Sequence, residues 1–359
     1  MARTFWLLAL LGLTGCASLE RRLAAEPDVL QGAARFYTED FGDPGCVVAV
    51  ADANGVRYSD ESRAHDIYRI ASLGKLMYYP VVTGCGVPLS TKVREAAPMA
   101  LPPEWDRWTL DDLLRNRTGL PREFRDALFV FKAVNCGAFG THIYGDFDTP
   151  DAFAARLWET RYRRLAAEGG ETYSNMGFGL LGMCLENATG RSSEDLLAAW
   201  LVEPYGLEDT TFEPESHPEM LARLTPCLAG SLPWDTRRGR PVPDHRLGPA
   251  LRATGGMFSS AADMAKVFSG DEIWRMIDEA ERAGRVEEGG VMGLLRVHYL
   301  KDGAPVYYRH GMIYGGSSFV AFEPDRRRVT IVLRNATNWP DAGACAIVEE
   351  LRRRDRPCE

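Results

Sequence analysis

The sequence lacks an excess of basic residues. Its 359 residues carry 42 lysines and arginines against 50 aspartates and glutamates, which gives a formal net charge of −8 at pH 7. Proteins that bind nucleic acid usually present a basic face, so this balance argues against a nucleic-acid partner. Internal repeats and low-complexity segments are also missing. The chain therefore has the character of a globular protein with one large domain or two medium ones.

The N-terminal apolar run, residues 5–13, is too short to span a bilayer as a stable helix but suits a secretory signal. The four residues Leu-Thr-Gly-Cys at 13–16 resemble a bacterial lipobox, in which the cysteine is lipidated and becomes the new N-terminus. A plain signal peptide with a chance cysteine is the alternative. The pattern predicts a signal peptide over 1–15, lipidation of Cys16 and a tether over 16–30, so that acyl chains anchor a soluble domain to a membrane. No aspartate follows the cysteine directly, which by resemblance to the Gram-negative sorting pattern favours the periplasmic side of the outer membrane.

No two cysteines have the Cys-x-x-Cys spacing, which argues against a zinc or redox site. Seven cysteines remain besides the predicted lipidation site: Cys46, Cys85, Cys136, Cys184, Cys227, Cys345 and Cys358. Seven is an odd number, so at least one of them stays outside an intramolecular disulfide, although a periplasmic location permits such bonds. Cys46 and Cys184 lie in apolar runs and are predicted to be buried thiols, while the connectivity of the others stays open.

Strand-like patterns lie at both ends of the chain, and helical patterns lie between them. The predicted strands are 46–50, 55–59, 68–70, 306–308, 317–323 and 329–334. The predicted helices are 73–83, 151–166, 176–203 and 342–352. The Asn-Gly pair at 54–55 indicates a hairpin, and Pro80 is expected to kink or end the helix that contains it.

This order of elements predicts an α+β fold. Both chain ends would form one antiparallel sheet flanked by helices, with a mostly helical inserted subdomain. The predicted parts are a sheet part of about 31–75 and 250–352, a helical part of about 76–249, and a tail over 353–359. Residues 122–150 are rich in aromatic residues and glycine and show no periodicity. An irregular segment of that length is normally functional, so we expect it to form a rim over a site.

The candidate chemistry centres on the run Tyr-Arg-Ile-Ala-Ser-Leu-Gly-Lys at 68–75. If Ser72 opens a helix, the spacing of three places its hydroxyl and the Lys75 amine on one face. A serine hydroxyl is a poor nucleophile unless a base takes its proton, and a desolvated lysine with a lowered pKa can be that base. A helix-capping serine beside a solvated lysine would give the same pattern without catalysis.

A second polar run, Tyr-Ser-Asn at 173–175, precedes a helical pattern. Tyr173 and Asn175 are two residues apart, so both can face one cleft from an extended turn. Tyr173 can accept or relay a proton if a nearby cation lowers its pKa from about 10. Asn175 can hydrogen-bond the lysine and a substrate carbonyl. Loop polarity without a function is the alternative.

A third run, Tyr-Arg-His-Gly-Met-Ile-Tyr-Gly-Gly-Ser-Ser, occupies residues 308–318. It places His310 at the predicted end of a strand, followed by glycines that let a substrate lie close to the backbone. A histidine at the edge of a cleft can bind a substrate carboxylate or assist proton transfer. A purely structural histidine is the alternative.

The three runs, in this order, resemble those of the serine β-lactamase and penicillin-binding-protein superfamily, to which the Ser-x-x-Lys pattern belongs. The resemblance is strongest to its class C-like branch, which includes carboxypeptidases, esterases and D-aminopeptidases, and it covers about residues 31–352. Stretches that match patterns of that branch are 109–121, with Asn116 where a histidine is common, 173–189, 203–210, 254–264 and 333–335. The resemblance implies a β-lactamase/transpeptidase-like fold.

The resemblance also implies roles for the polar residues. Ser72 would be the acylated nucleophile, Lys75 its general base and Tyr173 a partner in proton transfer. Asn175 would hold both the lysine and the substrate. This mechanism needs no metal and no organic cofactor, so none is expected.

The third run departs from the usual Lys/His-Ser/Thr-Gly pattern. His310 falls where the superfamily has lysine or histidine, but the hydroxyl residue that helps β-lactamases bind a substrate carboxylate is missing. Met312 occupies a position where glycine is usual, and an alignment shifted by one residue would give Gly311 the glycine role. By resemblance, the backbone N–H groups of Ser72 and of a residue near Ile313 would form the oxyanion hole.

The implied function is that of a lipid-anchored serine hydrolase which forms an acyl-enzyme with an ester, an amide or a D-amino-acid-containing peptide. The substrate would be a small molecule or a peptide, with the cell wall as one source. Because the third run is altered, we expect esterase or D-peptidase chemistry rather than efficient β-lactam hydrolysis. One alternative is a catalytically silent scaffold that binds cell-wall fragments or a protein partner. Another is a sensory lipoprotein in which slow deacylation makes the acyl-enzyme a signal.

Overall fold

The computed structural model describes residues 19–41, 45–124, 149–230, 239–244, 246–282, 293–337 and 341–355. The predicted signal peptide and its lipidation site, Cys16, lie outside the described residues. So do Cys136, Cys358 and most of the predicted rim segment, residues 125–148.

The strands confirm the predicted α+β fold, in which both chain ends form one antiparallel sheet. They are β1 Val47–Asp52, β2 Gly55–Tyr58, β3 Tyr68–Arg69, β4 Phe258–Ser259, β5 Arg296–Tyr299, β6 Pro305–Ile313, β7 Gly316–Glu323 and β8 Arg328–Arg334. The large sheet has the order β2-β1-β8-β7-β6-β5, and β3 pairs separately with β4. The two chain ends meet where β1 pairs with β8. The sequence patterns missed β4, which has two residues, and β5, which is largely exposed.

The helices lie between and around these strands. They are α1 Val29–Phe41, α2 Gly74–Met77, α3 Tyr79–Gly84, α4 Val93–Ala96, α5 Leu110–Leu114, α6 Pro150–Leu157, α7 Thr160–Glu168, α8 Asn175–Thr189, α9 Ser193–Leu197, α10 Glu203–Tyr205, α11 Pro218–Leu221, α12 Arg252–Gly255, α13 Ala261–Ser269, α14 Asp271–Arg282 and α15 Asp341–Arg354. Among the described residues, none of these helices is long and apolar enough to cross a membrane.

Three predicted helices are interrupted. The predicted continuity was wrong for 151–166 and 176–203, whereas the division of 73–83 agrees with the kink or end expected at Pro80. The predicted helix 176–203 ends at Thr189, because Gly190 adopts the left-handed conformation, with a φ of 68°, and caps it. The predicted helix 151–166 is divided into α6 and α7. The predicted helix 73–83 is divided at Tyr78, and Pro80 stands in the first turn of the next helix, where a missing N–H costs nothing.

The central strands β1, β7 and β8 are buried on both faces of the sheet. In β1, Val47 and Ala49 belong to the cluster shared with the helical part, whereas Val48 and Val50 belong to a second cluster under α1 and α15. Successive residues of a strand point to opposite faces, so a strand buried on both faces reads as one continuous apolar run. We call the first face the inner face, because it carries the site described below.

Part of the segment predicted as a tether is packed against the domain. Residues 19–25 are helical, and Leu19 and Leu23 are fully buried in the cluster under α1. The packed part of the chain therefore begins before residue 31. Cys46 and Cys184, which were predicted to be buried, are buried.

Candidate active site

Ser72 lies in a 3-10 turn, Ala71–Leu73, directly before α2. The preceding residue, Ala71, has a φ of 48°, in the left-handed region that is costly for a residue with a side chain. Strain of this kind persists only where the surroundings hold the backbone in place. Gly255 packs closely against this turn. A Cβ added to it would lie only 3.1 Å from the carbonyl carbon of Ala71. The turn leaves Ser72 partly exposed while its two neighbours are buried.

Lys75 lies one helical turn beyond Ser72 and is fully buried. Its Nζ donates hydrogen bonds to Ser72 Oγ at 3.3 Å, to Asn175 Oδ1 at 2.8 Å and to the carbonyl oxygen of Thr254. The spacing of three residues therefore brings the amine and the hydroxyl together, as predicted. Each of these three groups accepts a hydrogen bond from the amine, and together they fix the position of Nζ.

Tyr173 lies on the other side of the serine hydroxyl. Its phenolic oxygen is 2.8 Å from Ser72 Oγ, and it donates to Asn175 Oδ1 at 3.0 Å. Lys75 Nζ lies 5.1 Å from the centre of its ring. The second polar run and the Ser-x-x-Lys run, about 100 residues apart in sequence, thus share one hydrogen-bond network.

Burial and charge shift the proton affinities of both candidate bases. Burial lowers the pKa of the Lys75 amine to about 8, and the Arg309 cation adds to that effect while Tyr173 opposes it. Burial by itself raises the pKa of the Tyr173 phenol, but Lys75 and Arg309 outweigh burial and lower the pKa to about 8. Groups of similar pKa exchange a proton at little cost, so Lys75 and Tyr173 can together take a proton from Ser72.

The turn before α8 orients the second run. Ser174 caps α8 by accepting the Gly177 N–H at 2.8 Å, so Asn175 is the first residue of the helix. Asn116 accepts the Ser174 N–H at 2.9 Å and itself has a left-handed φ of 57°. Asn116 therefore supports the turn that carries Tyr173.

The third run has a different register from the one predicted. Strand β6 continues past His310, so the prediction that His310 ends a strand is wrong. Tyr307 packs in the inner cluster and Tyr308 against the outer one. Because successive strand residues point to opposite faces, Arg309 faces the Ser72 side and His310 faces away from it.

Arg309 is the functional candidate that the sequence patterns missed. It is 7% exposed, its Nε donates to the carbonyl oxygen of Ser72 at 3.0 Å, and its guanidinium carbon lies 5.1 Å from the centre of the Tyr173 ring. It also donates to the carbonyl oxygen of Leu294. The cation at this site is therefore an arginine one residue earlier than His310. The only signal in the sequence was the alternation that starts from the apolar residues of β6.

Gly311 lies directly against the turn that carries the serine. A Cβ at this position would lie 2.6 Å from the carbonyl oxygen of Ile70 and 2.8 Å from the backbone nitrogen of Ser72. Ser318 of the neighbouring strand donates to the same Ile70 oxygen at 2.7 Å. The structure therefore adopts the alignment shifted by one residue, in which Gly311 takes the glycine role.

The ladder between β6 and β7 indicates which residue near Ile313 can be the predicted oxyanion-hole donor. Ile313 pairs with Gly316 across a two-residue turn, so its N–H points towards β7. In the same ladder the N–H of Met312 points to the other edge of β6, which β5 covers only as far as Tyr308. The N–H of Met312 therefore faces the uncovered edge of β6, where it can accompany that of Ser72.

Two more residues complete the network around Asn175. The Thr254 hydroxyl donates to the carbonyl oxygen of Asn175 at 2.8 Å, and the Glu123 carboxylate accepts a hydrogen bond from Asn175 Nδ2. Neither residue was singled out from the sequence. Among the described residues, no group of three or more His, Cys, Asp or Glu side chains is arranged to hold a metal ion.

A serine at the head of a helix, served by a buried lysine and set against an antiparallel sheet, defines the class of β-lactamase-like serine hydrolases. The Beta-lactamase family model matches residues 35–352. Because this match spans most of the chain, the protein belongs to the β-lactamase family.

Solved structures of low sequence identity share the fold. A class C β-lactamase from Rhodobacter sphaeroides superposes with a TM-score of 0.62 at 18% identity, over 91% of this chain and 99% of that one. A D-stereospecific amidohydrolase from Streptomyces sp. superposes with a TM-score of 0.61 at 18% identity, over 90% of this chain and 98% of that one. At these identities the similarity establishes the fold alone.

One curated relative has an assigned activity. The D-alanyl-D-alanine-carboxypeptidase/endopeptidase AmpH of Escherichia coli (strain K12) is 27% identical over 139 residues, which are 35% of this chain and 33% of AmpH. The matched region therefore spans about a third of the length of AmpH.

Proposed function

We propose that the protein hydrolyses an ester, an amide or a D-amino-acid-containing peptide through an acyl-enzyme on Ser72. The observation that carries this proposal is the position of Lys75. The amine is fully buried, donates to Ser72 Oγ, and has its pKa lowered to about 8 by burial. A lysine of this kind is partly neutral near pH 8 and can accept the serine proton.

The proposed reaction has two halves, acylation and deacylation, and both use the observed contacts. Lys75 and Tyr173 take the proton from Ser72 Oγ, which attacks the substrate carbonyl carbon. The N–H groups of Ser72 and Met312 stabilise the negative charge on the carbonyl oxygen. The carbonyl then re-forms, and the leaving alcohol or amine departs with the proton from the pair. A water molecule, deprotonated by the same pair, releases the acid and restores the Ser72 hydroxyl.

The third run supports the choice among substrates. The alternation along β6 places His310 on the outer face with Tyr308, and the residue directly before Gly311 is this histidine rather than a serine or threonine. The hydroxyl that favours β-lactams in related enzymes is therefore lacking, which supports esters and D-peptides over β-lactams. The activity in the name of AmpH, a D-alanyl-D-alanine-carboxypeptidase/endopeptidase, supports a D-amino-acid-containing substrate.

The cellular location is part of the same proposal. The apolar run at 5–13 and the Leu-Thr-Gly-Cys stretch at 13–16 support export and lipidation of Cys16. A lipid anchor in the bacterial envelope, on the periplasmic side of the outer membrane, would bring the site to cell-wall-derived peptides. Metabolic labelling with an alkyne fatty acid tests this point. Labelling that is lost in Cys16→Ala is expected, and equal labelling of the variant would contradict it.

The decisive test for the function is covalent labelling of the serine. The protein is incubated with a fluorophosphonate probe, and its intact mass is compared with that of Ser72→Ala. A single adduct on the wild type, absent from the variant, is expected. Esters, D-amino-acid peptides and penicillins are then compared as substrates. No adduct on well-folded protein would contradict the hydrolase and favour a catalytically silent binding scaffold, and an adduct without turnover would favour a sensor.

A further inference from the structure

The side-chain amide of Asn175 has two chemically different ends. Its Oδ1 accepts from Lys75 Nζ at 2.8 Å and from the Tyr173 hydroxyl at 3.0 Å. An amide rotated by half a turn would present its NH₂ to these two donors, and both hydrogen bonds would be lost. The network that joins the lysine to the tyrosine therefore depends on which way this amide points.

Glu123 determines that orientation from the other end of the amide. Its carboxylate accepts a hydrogen bond from Asn175 Nδ2. An ionised carboxylate can only accept, so it accommodates the NH₂ end and repels the oxygen end. The Glu123 side chain is only 16% exposed, which strengthens this electrostatic preference.

The backbone holds Glu123 in place. The carbonyl oxygen of the preceding residue, Arg122, accepts a hydrogen bond from the Asn175 N–H at 3.0 Å. The following residue, Phe124, is 1% exposed and packs edge-to-face on the rings of Phe153 and Tyr162, with ring centres 5.3 Å apart in each pair. Glu123 is thus fixed between a hydrogen bond to the head of α8 and an aromatic anchor.

We propose that Glu123 is a positioning residue, which holds the Asn175 amide so that one oxygen accepts from both Lys75 and Tyr173, and which adds a negative charge on the lysine side of the site. The proposal rests on the proposed hydrolase function. In this role Glu123 acts through Asn175, whose Nδ2 it binds, rather than on the substrate.

The two parts of this role have separate consequences. The hydrogen bond orients the amide, and a glutamine at 123 retains that ability through its own oxygen. The charge opposes the burial of Lys75 and raises the pKa of the amine, whereas Arg309 lowers it. Removing the charge alone should therefore lower the pKa of Lys75 further. The base would then become available at a lower pH.

The test compares Glu123→Gln and Glu123→Ala with the wild type in the full chain, using p-nitrophenyl ester hydrolysis from pH 5 to 10. In Glu123→Gln, kcat at high pH should stay within about threefold of the wild type, while the acid limb of kcat/KM shifts to lower pH. In Glu123→Ala, kcat at high pH should fall about tenfold or more, because the amide is no longer oriented. Thermal unfolding is measured in parallel to separate these effects from loss of folding.

Equal losses in the two variants, or an unchanged acid limb in Glu123→Gln, would overturn the proposal. Wild-type activity in Glu123→Ala would also overturn it. If the wild type shows neither turnover nor fluorophosphonate labelling, the hydrolase function fails separately. Crystal structures of the two variants then decide the positioning role alone. Loss of the Asn175–Lys75 hydrogen bond in the alanine variant only would support it, and its retention in both would contradict it.

Discussion

Arg309 and Ser72 are joined by a hydrogen bond of 3.0 Å from the guanidinium Nε to the serine carbonyl oxygen, across 237 residues of sequence. This bond fastens the middle of β6 to the turn that carries the candidate nucleophile. The same guanidinium stands beside the Tyr173 ring, where its charge lowers the pKa of the phenol together with Lys75. Arg309 therefore has both a structural and an electrostatic connection to the site.

Replacing Arg309 by methionine should lower kcat/KM at pH 7 by about 10- to 100-fold, because a hydrogen bond from a charged donor is lost. The acid limb of the pH–rate profile should also shift to higher pH. The Arg309 cation lowers the pKa values of Lys75 and Tyr173, so its removal should raise them. A smaller fraction of the enzyme then has Lys75 or Tyr173 deprotonated at pH 7. Arg309→Lys keeps the charge and should shift the limb less. An equal shift in both variants would show that the charge is not responsible.

Replacing His310 by alanine should change kcat/KM by no more than about threefold, as for a substitution away from the reacting groups. The reason is that His310 lies on the face of β6 opposite to Ser72. The matched comparison is Arg309→Ala, for which a large loss is expected. Ester hydrolysis by the two variants decides the register of the third run. A large loss in His310→Ala with little change in Arg309→Ala would restore the register predicted from the sequence.

Replacing Gly311 by alanine should reduce kcat/KM by about 100-fold or more, since displacing reacting groups by even 1 Å can cost that much. The new Cβ would meet backbone atoms of Ile70 and Ser72, which cannot rotate away as a flexible side chain can. Gly303→Ala is the control, because a Cβ there meets nothing within 4 Å. Gly303 also has a φ of 83°, so this control carries backbone strain without crowding the site. Equal activity of the two variants would contradict the close approach of β6 to the serine.

Replacing Lys75 by methionine should lower kcat by about 10²- to 10⁴-fold, the usual contribution of a general base. Thermal stability should not fall, since methionine fills a similar volume without burying a charge. The folded-state pKa of Lys75, about 8, lies below its ordinary value of 10.5. The protonated amine therefore destabilises the folded wild type below pH 8, and this cost disappears between about pH 8 and 10.5.

The stability difference between Lys75→Met and the wild type should therefore be largest at neutral pH and should shrink as the pH rises above 8. Chemical denaturation at pH 7 and at pH 10 measures it. A difference that grows with pH would contradict a lowered pKa of Lys75. Ser72→Ala, which leaves the amine in place, should keep the pH dependence of the wild type.

Features that depend on local spacing could be read from the sequence. Any helical turn brings side chains three residues apart onto one face, as it does for Ser72 and Lys75. The Asn-Gly pair at 54–55 closes a hairpin because its own backbone preferences favour the turn. The alternation of strand and helix patterns was sufficient to predict the α+β fold. The break at Gly190 was missed because a glycine inside an apolar run can be either helical or a left-handed cap.

Only the tertiary structure decided which side chains meet at the site. The length of β6 determined that Arg309, not His310, faces the serine, because one residue of register reverses the faces of a strand. The contacts of Lys75 with Asn175 and Thr254 join residues 100 and 179 positions apart, and the contact of Glu123 with Asn175 spans 52. The sequence by itself determined the candidate nucleophile, the candidate base beside it and the elements that carry them, since these follow from periodicity within a few residues. The partners that set their orientation and charge follow from how distant segments pack, and no local pattern encodes that packing.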